Sequence, residues 1–239
     1  MIPEEEWIAR QTLAQCYHLA AKFGWTDLIY THISARVPNQ EGVLLINPFG
    51  LLYEQITPDN LLKVNFAGQI IDGPANAKIN LAGYVIHSAI HEARHDVACI
   101  MHTHTPAGIA ISALDCGLLP MSQHACRFYN RIAYHTYNGI TFDTEEQPRL
   151  IKDLGHHMAM ILHNHGFLTV GRTIPEAFVL MHYLERAAEA QLKAMSTGQK
   201  IIIPPPDVCE KAARQFGDDE TIAGTLEWPA LVQSLIQSQ

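Results

Sequence analysis

The stretch that organises the fold is residues 80–108, which read NLAGYVIHSAIHEARHDVACIMHTHTPAG. Its first part is helical in pattern to about residue 94, and an apolar strand follows over residues 97–104. Thr105 and Pro106 have the pattern of an N-cap followed by proline at the first helical position. The stretch therefore predicts a helix, a strand and a second helix, with His102 and His104 at the end of the strand.

The composition is that of an ordinary soluble globular protein. The chain has 239 residues, of which 48% are hydrophobic and 17% are charged, and its net charge is −8. A negative charge of this size argues against nucleic-acid binding. No apolar run approaches the roughly 18 residues of a membrane span, and the acidic start MIPEEEWIAR is unlike a secretory signal. We therefore expect a cytoplasmic protein without nucleic-acid or membrane partners.

Helices alternate with short, hairpin-like strands along most of the chain, which predicts one α/β domain around a largely antiparallel or mixed sheet. The predicted helices are 3–23, 80–94, 106–114, 145–157 and 174–196. The predicted strands are 32–37, 43–47, 64–71, 97–104, 131–137, 140–142, 159–165 and 167–170. The segment IIIPPPDV cannot continue a helix. We therefore divide the chain into a domain at 1–200 and a tail at 201–239 that packs on the domain or on a neighbouring subunit.

The five cysteines form no CxxC pair, and their odd number suits a reducing compartment. The abundant residue is histidine, with fourteen in the chain. His102 and His104 are two apart on the predicted strand, so their imidazoles point to the same face and can converge on one metal ion. The alternative is a pair of histidines satisfied by hydrogen bonds at a strand end.

A second pair strengthens the metal interpretation. His163 and His165 end another apolar strand in the sequence MILHNHG, and two such strands can supply three or four ligands to one point. A catalytic zinc site needs three protein ligands and one open position. The spacing leaves open whether His163 or His165 binds the ion.

Other histidines are weaker candidates. His87, His91 and His95 form a row on the predicted helix, and the pattern favours one buried histidine with the others in water. His124 lies in a predicted loop and is a candidate base or supporting group. His18, His32, His135 and His182 carry no independent signal.

Several blocks of the sequence together resemble the class II aldolase/adducin family over about residues 5–196. These blocks are HISAR, LLINPFGLLYEQIT, IHSAIHEARHDVACIMHTHTPAG, LHNHGFLTVG and IPEAFVLMHYLERAAEAQ. Within the family, the stretches GWTDLIYTHISARV, NPFGLLY, LAGYVIHSAI and THTPAGIAISALDCGLLP are most similar to the globular head of adducins.

The resemblance implies a three-layer α/β/α sandwich around a central, mainly antiparallel sheet. It also implies a four-fold homotetramer with small-molecule sites near subunit boundaries. In the enzymes of the family a divalent metal, usually zinc, is held by histidines that correspond to His102, His104 and His165. Fe²⁺ and Mn²⁺ are the other candidate ions. The resemblance thus makes His163 a neighbour on the same side, without a ligand role.

The chain departs from the family at the positions that handle phosphate and protons. Sugar-phosphate aldolases bind phosphate through a Gly-Asn pair and through a Pro-Ser-Ser-Glu motif. Here the corresponding residues are Thr31-His32 and Asn80-Leu81-Ala82-Gly83. The glutamate or aspartate that serves as acid/base in the family is thus Gly83. Because loss of a general acid/base costs about 10²–10⁴-fold in rate, we do not expect phospho-sugar aldolase activity.

Three functional hypotheses follow. The first is a metal-dependent lyase for a small non-phosphorylated carbonyl compound or hydroxy acid, in which His124, His87 or a tail residue of the next subunit replaces the missing acid. The second is a non-catalytic metal-binding scaffold like the adducin head, with only weak support for actin or spectrin binding. The third is a non-haem iron oxygenase that uses the same three histidines.

Overall fold

The computed structural model of the chain describes residues 2–139, 146–217 and 222–236. Within these ranges a single sheet of eight strands forms the centre of the fold. The strands are β1 (Ile33–Arg36), β2 (Val43–Ile46), β3 (Leu62–Asn65), β4 (Ile70–Asp72), β5 (Cys99–Thr103), β6 (Ile132–His135), β7 (Ala159–Leu162) and β8 (Gly166–Gly171). Their order across the sheet is β4-β3-β2-β1-β5-β8-β7-β6.

The pairing is antiparallel between all neighbours except β6 and β7, which run parallel. This confirms the expected mainly antiparallel, mixed sheet. The strand predicted over 64–71 is resolved into a hairpin of β3 and β4. The strand predicted at 140–142 lies outside the described residues.

Helices cover both faces of the sheet. Their bounds are α1 (Glu4–Lys22), a 3-10 turn (Tyr53–Gln55), α2 (Leu81–Ala93), α3 (Pro106–Ser112), α4 (Gln123–Cys126), α5 (Gln147–Leu154), α6 (Ile174–Met195), α7 (Pro206–Gly217) and α8 (Glu227–Ile236). In the described parts of the chain, none of these helices combines the length and the apolar character needed to cross a membrane.

Alternation along the central strands builds two separate cores. Met101 of β5 packs in the cluster that includes α1 and α6, whereas its neighbour Ile100 packs in the cluster that includes α2 and α5. Because successive side chains of a strand point to opposite faces, the sheet lies between two helical layers. The predicted three-layer α/β/α sandwich is confirmed.

The segment after residue 200 forms α7 and α8. In α7, Cys209 is buried and Glu210 accepts a hydrogen bond of 2.7 Å from Arg131. Near α8, the Lys22 ammonium donates to the carbonyl of Ser234 at 2.5 Å. Both helices therefore contact the domain of their own chain. The division of the chain at residue 200 stays a prediction.

Candidate metal centre

Three imidazoles converge where β5 ends. The Nε2 atom of His102 lies 2.8 Å from Nε2 of His104 and 3.3 Å from Nε2 of His165. The Nε2 atoms of His104 and His165 are 2.9 Å apart. Of the described residues, these three form a group whose ligand atoms all lie within 4.8 Å of one another. The structure thus brings together the histidines that the sequence resemblance assigns as ligands.

The hydrogen bonds on the far side of two rings fix their tautomers. Nδ1 of His102 lies 2.7 Å from the carbonyl oxygen of Phe167, and Nδ1 of His104 lies 2.9 Å from Oδ2 of Asp27. Since these oxygens only accept, each Nδ1 carries the proton and each Nε2 presents a lone pair. Partners of this kind commonly orient metal-binding histidines.

The three nitrogens therefore fit a cation. Lone pairs on His102 and His104 that face each other at 2.8 Å repel unless positive charge lies beside them. Burial lowers the pKa of His102 well below its usual value and lowers the pKa of His165 to about 4. Since both pKa values are lowered, protonation of His102 or His165 does not supply the missing charge at neutral pH. Three imidazole nitrogens are a known donor set for a catalytic divalent metal.

Hydrogen bonds to α6 fix the end of β5, where two of these histidines lie. The hydroxyl groups of Thr103 and Thr105 donate to the carboxyl group of Glu185 on α6, at 2.8 and 2.7 Å. Thr105 also accepts from the amide of Gly108 at 2.9 Å and caps α3, as its sequence predicts. Glu185 is buried, which raises its pKa to about 7. These bonds position the backbone on both sides of His104.

The third histidine lies in a turn, and the strand predicted over 159–165 is therefore wrong in its last part. β7 ends at Leu162, and Asn164 has a left-handed φ of 55°, which reverses the chain into β8. A Cβ at Gly166 would overlap the carbonyl oxygen of Thr103, so only glycine allows β8 to start this close to β5. This close approach places His165 beside His102.

His163 has other partners. Its Nδ1 atom lies 3.1 Å from the carbonyl oxygen of Ser112, and its ring stacks on Tyr134 with centroids 5.6 Å apart. His163 and His165 both line one small cavity, but His163 does not belong to the group of three histidines whose ligand atoms converge.

A cavity of about 500 Å³ opens beside the three histidines. Its wall includes Asp27, Thr31, His32, Gly83, His87 and Tyr137. No lysine or arginine occurs among the described residues that line it. The polar groups of the wall are thus imidazole, hydroxyl and amide groups together with the carboxylate that binds His104.

The row of His87, His91 and His95 is more deeply buried than its pattern indicates, although α2 ends at Ala93, before it reaches His95. His87 is 1% exposed and lines the cavity, and His91 is fully buried, while His95 lies in solvent. Ser34 bridges the two buried rings, at 2.7 Å from Nδ1 of His87 and 2.9 Å from Nε2 of His91. The prediction of one buried histidine was wrong because β1 supplies a polar group, Ser34, that lets a second imidazole be buried.

Both buried rings are neutral. Burial lowers the pKa of His87 well below its usual value and lowers the pKa of His91 to about 3. The Nε2 atom of His87 has no hydrogen-bond partner among the described residues. His87, a candidate catalytic residue from the sequence, thus borders the cavity with a free ring nitrogen.

Sequence reasoning missed His32. This residue is 3% exposed, lines the cavity and lies with its ring centroid 4.2 Å from that of His87. A Cβ on Gly83 would overlap the His32 ring, at 2.6 Å from Nε2 and 2.8 Å from Nδ1. The available signal was the double departure from the family pattern, Thr31-His32 together with Gly83.

His124 does not line this cavity. It lies in α4, and its ring packs against that of Tyr183 with centroids 5.1 Å apart. A role for His124 in the site stays a prediction.

Comparisons with known proteins fit this geometry. Residues 11–192 match the family described as Class II Aldolase and Adducin N-terminal domain. The chain belongs to this family. An aldolase II superfamily protein from Pseudomonas syringae, whose crystal structure is known, is 47% identical to it. The match covers 99% of this chain and 95% of that one, with a TM-score of 0.96.

Two further relatives represent the aldolase and adducin branches. An L-fuculose 1-phosphate aldolase from Glaciozyma antarctica is 31% identical, with a TM-score of 0.86 and coverage of 98% of this chain and 91% of that one. Alpha-adducin from Rattus norvegicus is 46% identical over 194 residues, which are 80% of this chain and 26% of that protein. This class II aldolase/adducin family member thus corresponds to only part of the adducin chain.

Proposed function

We propose that this protein is a metal-dependent lyase that acts on a small, non-phosphorylated carbonyl compound or hydroxy acid. The observation that carries the proposal is the convergence of three imidazole Nε2 atoms at the wall of a 500 Å³ cavity. His102, His104 and His165 would hold the ion, with zinc expected and Fe²⁺ or Mn²⁺ as alternatives. When bound, such an ion supplies Lewis acidity toward a carbonyl or enolate oxygen.

The charges of the cavity support a non-phosphorylated substrate. A phosphate monoester carries about −1.5 to −2 charges at neutral pH, and the described lining offers it no lysine or arginine. Asp27 adds a carboxylate next to His104. A small carbonyl compound or hydroxy acid, with at most one negative charge, suits this wall better.

Proton handling falls to His87 in this proposal. Its Nδ1 atom is held by Ser34, and its ring lines the cavity, so its buried and unpaired Nε2 atom would be the one to exchange a proton with a ligand. A neutral ring with a strongly lowered pKa is a weak base. Decarboxylation needs an electron sink more than a base, so it suits this site better than retro-aldol cleavage does.

The test is turnover by the purified, metal-loaded protein across a panel of α-keto acids and β-hydroxy acids. We expect one of these substrates to be consumed, with activity lost in His102→Ala and reduced about 10²-fold or more in His87→Ala. His95→Ala, in solvent just beyond the end of that helix, is the control and should keep full activity. Tight metal binding without turnover across the panel would rule out the enzyme.

That last outcome would favour the second candidate, a non-catalytic metal-binding scaffold. The observation behind it is the 46% identity to alpha-adducin over 80% of this chain. If the protein is a scaffold, it should contain metal but turn over no substrate. Substitution of the metal ligands should then lower its stability without any other effect.

We also propose a cytoplasmic homotetramer, as the family resemblance implies. The mass in solution, measured by light scattering during size-exclusion chromatography, tests the assembly. A monomeric mass over the working concentration range would contradict it.

A further inference from the structure

The cavity contains a buried polar ring for which the proposed reaction has no use. His32 is 3% exposed, lines the cavity, and has no hydrogen-bond partner at either ring nitrogen among the described residues. Buried polar groups are paired in the great majority of cases, and an unpaired one costs free energy. An unpaired imidazole at a cavity wall is therefore a position where a ligand or a water molecule can supply the missing hydrogen bond.

The place of His32 depends on Gly83. The ring fills the volume that any side chain at position 83 would need, since a Cβ there would lie 2.6 Å from Nε2. Gly83 itself is on the cavity wall, in the first turn of α2. The imidazole thus lies where the family resemblance expects a carboxylate.

The chemistry of the ring suits an oxygen ligand. Burial lowers the pKa of His32 to about 4, although nearby backbone groups of Gly83 and Thr31 act in the opposite direction, so the ring is neutral at pH 7. A neutral imidazole offers one N–H donor and one lone pair, which match a hydroxyl or carbonyl group. It adds no positive charge to a wall without lysine or arginine among its described residues.

We propose that His32 is a ligand-binding residue: its imidazole replaces the side chain absent at Gly83 and hydrogen-bonds an oxygen of a small carbonyl or hydroxy-acid ligand. The ligand class rests on the proposed function. The position of the ring does not, because it follows from the contacts of His32 with Gly83 and His87.

The test is calorimetric titration of the zinc-loaded protein with glycolohydroxamate, a small probe with two neighbouring oxygen atoms. His32→Leu removes both nitrogens at similar volume and should weaken binding by about tenfold or more, the loss of one hydrogen bond. His32→Asn keeps hydrogen-bonding capacity and should stay within about threefold of the wild type. His95→Leu is the control in solvent and should bind like the wild type. Zinc content is measured on every sample and should be unchanged.

Three results would overturn the proposal. These are equal affinity of His32→Leu and the wild type, no probe binding by a zinc-containing wild type, and weaker binding that is explained by loss of zinc. Failure of the proposed function has a different signature: the probe binds in a His32-dependent manner, but no carbonyl substrate is turned over.

Discussion

The imidazole of His32 occupies the space beside the α-carbon of Gly83, so closely that a Cβ there would lie 2.6 Å from its Nε2 atom and 2.8 Å from its Nδ1 atom. Two departures from the family pattern, far apart in sequence, are therefore one structural feature. Glycine at 83 makes room for the ring, and the ring occupies the part of the wall that glycine leaves bare.

This contact predicts that the effect of Gly83→Ala on the unfolding free energy changes sign when His32 is also replaced. In the wild type, Gly83→Ala should lower the free energy of unfolding by about 2 kcal/mol, since the added methyl group collides with the buried ring. In a His32→Ala background the same substitution should raise it by up to about 1 kcal/mol, because alanine is the better helix former. Urea unfolding of the four proteins measures both values, and the same sign in both backgrounds would refute the contact.

The buried histidines predict that the free energy of unfolding falls at acid pH. A substitution of His91 measures the contribution of one of them. Burial, with the guanidinium of Arg36 nearby, lowers its pKa to about 3, while Ser34 and His87 complete its polar surroundings. Because the folded pKa lies below the unfolded value of about 6.5, the stabilisation is present above pH 6.5 and is lost as the pH falls. Between pH 7 and pH 5, His91→Gln should therefore lose about 2 kcal/mol less unfolding free energy than the wild type does.

The control for this measurement is His95→Gln, because His95 lies in solvent in the turn just after α2. It should show the same pH dependence as the wild type. A His91→Gln curve parallel to that of the wild type would contradict a neutral, buried His91.

Glu185 predicts a pH dependence of the unfolding free energy that is opposite in sign to that of His91. Burial raises its pKa to about 7, although Thr105 and Thr103 donate to it. Because the folded pKa lies above the unfolded one, its stabilisation is complete below about pH 4.3 and is lost as the pH rises through 7. Glu185→Gln should therefore gain about 3 kcal/mol relative to the wild type between pH 4 and pH 8. Glu189→Gln, at an exposed position of α6, should gain far less, because its charge makes only a minor contribution to the raised pKa of Glu185. An equal gain in both variants would contradict the assignment.

The parts of the site that the sequence predicted are those governed by local periodicity. His102 and His104 are two residues apart at the end of β5, so alternation places their rings together, and Thr105 caps α3 as its residue type indicates. His165 required the family resemblance, because a left-handed Asn164 ends the alternation that would have related it to His163.

The parts that the sequence did not predict depend on tertiary contacts. His91 is buried because Ser34 comes from a strand of the sheet, and nothing in the helix sequence shows this partner. His32 was assigned no role because its signal was the absence of a side chain at Gly83, on a different element. The α/β domain with a largely antiparallel or mixed sheet was predictable because the alternation of helices and short strands needs no such knowledge, whereas the three-layer arrangement required the family resemblance.

The metal centre also predicts a link between ion binding and stability. An ion held by His102, His104 and His165 binds the folded state, so its removal should lower the melting temperature. Dialysis against a chelator, followed by thermal unfolding with and without added zinc, measures the effect. A melting temperature that does not respond to zinc would contradict a site formed by the folded chain.

The most direct test of the central claim is the metal content of three purified proteins, measured by elemental mass spectrometry. The wild type and His163→Ala should contain the same amount of divalent metal per chain, whereas His165→Ala should lose most of it. His163 is the matched control, since it is two residues away and contacts Ser112 and Tyr134 instead. Full metal content in His165→Ala, or equal loss in both variants, would contradict a centre built from His102, His104 and His165.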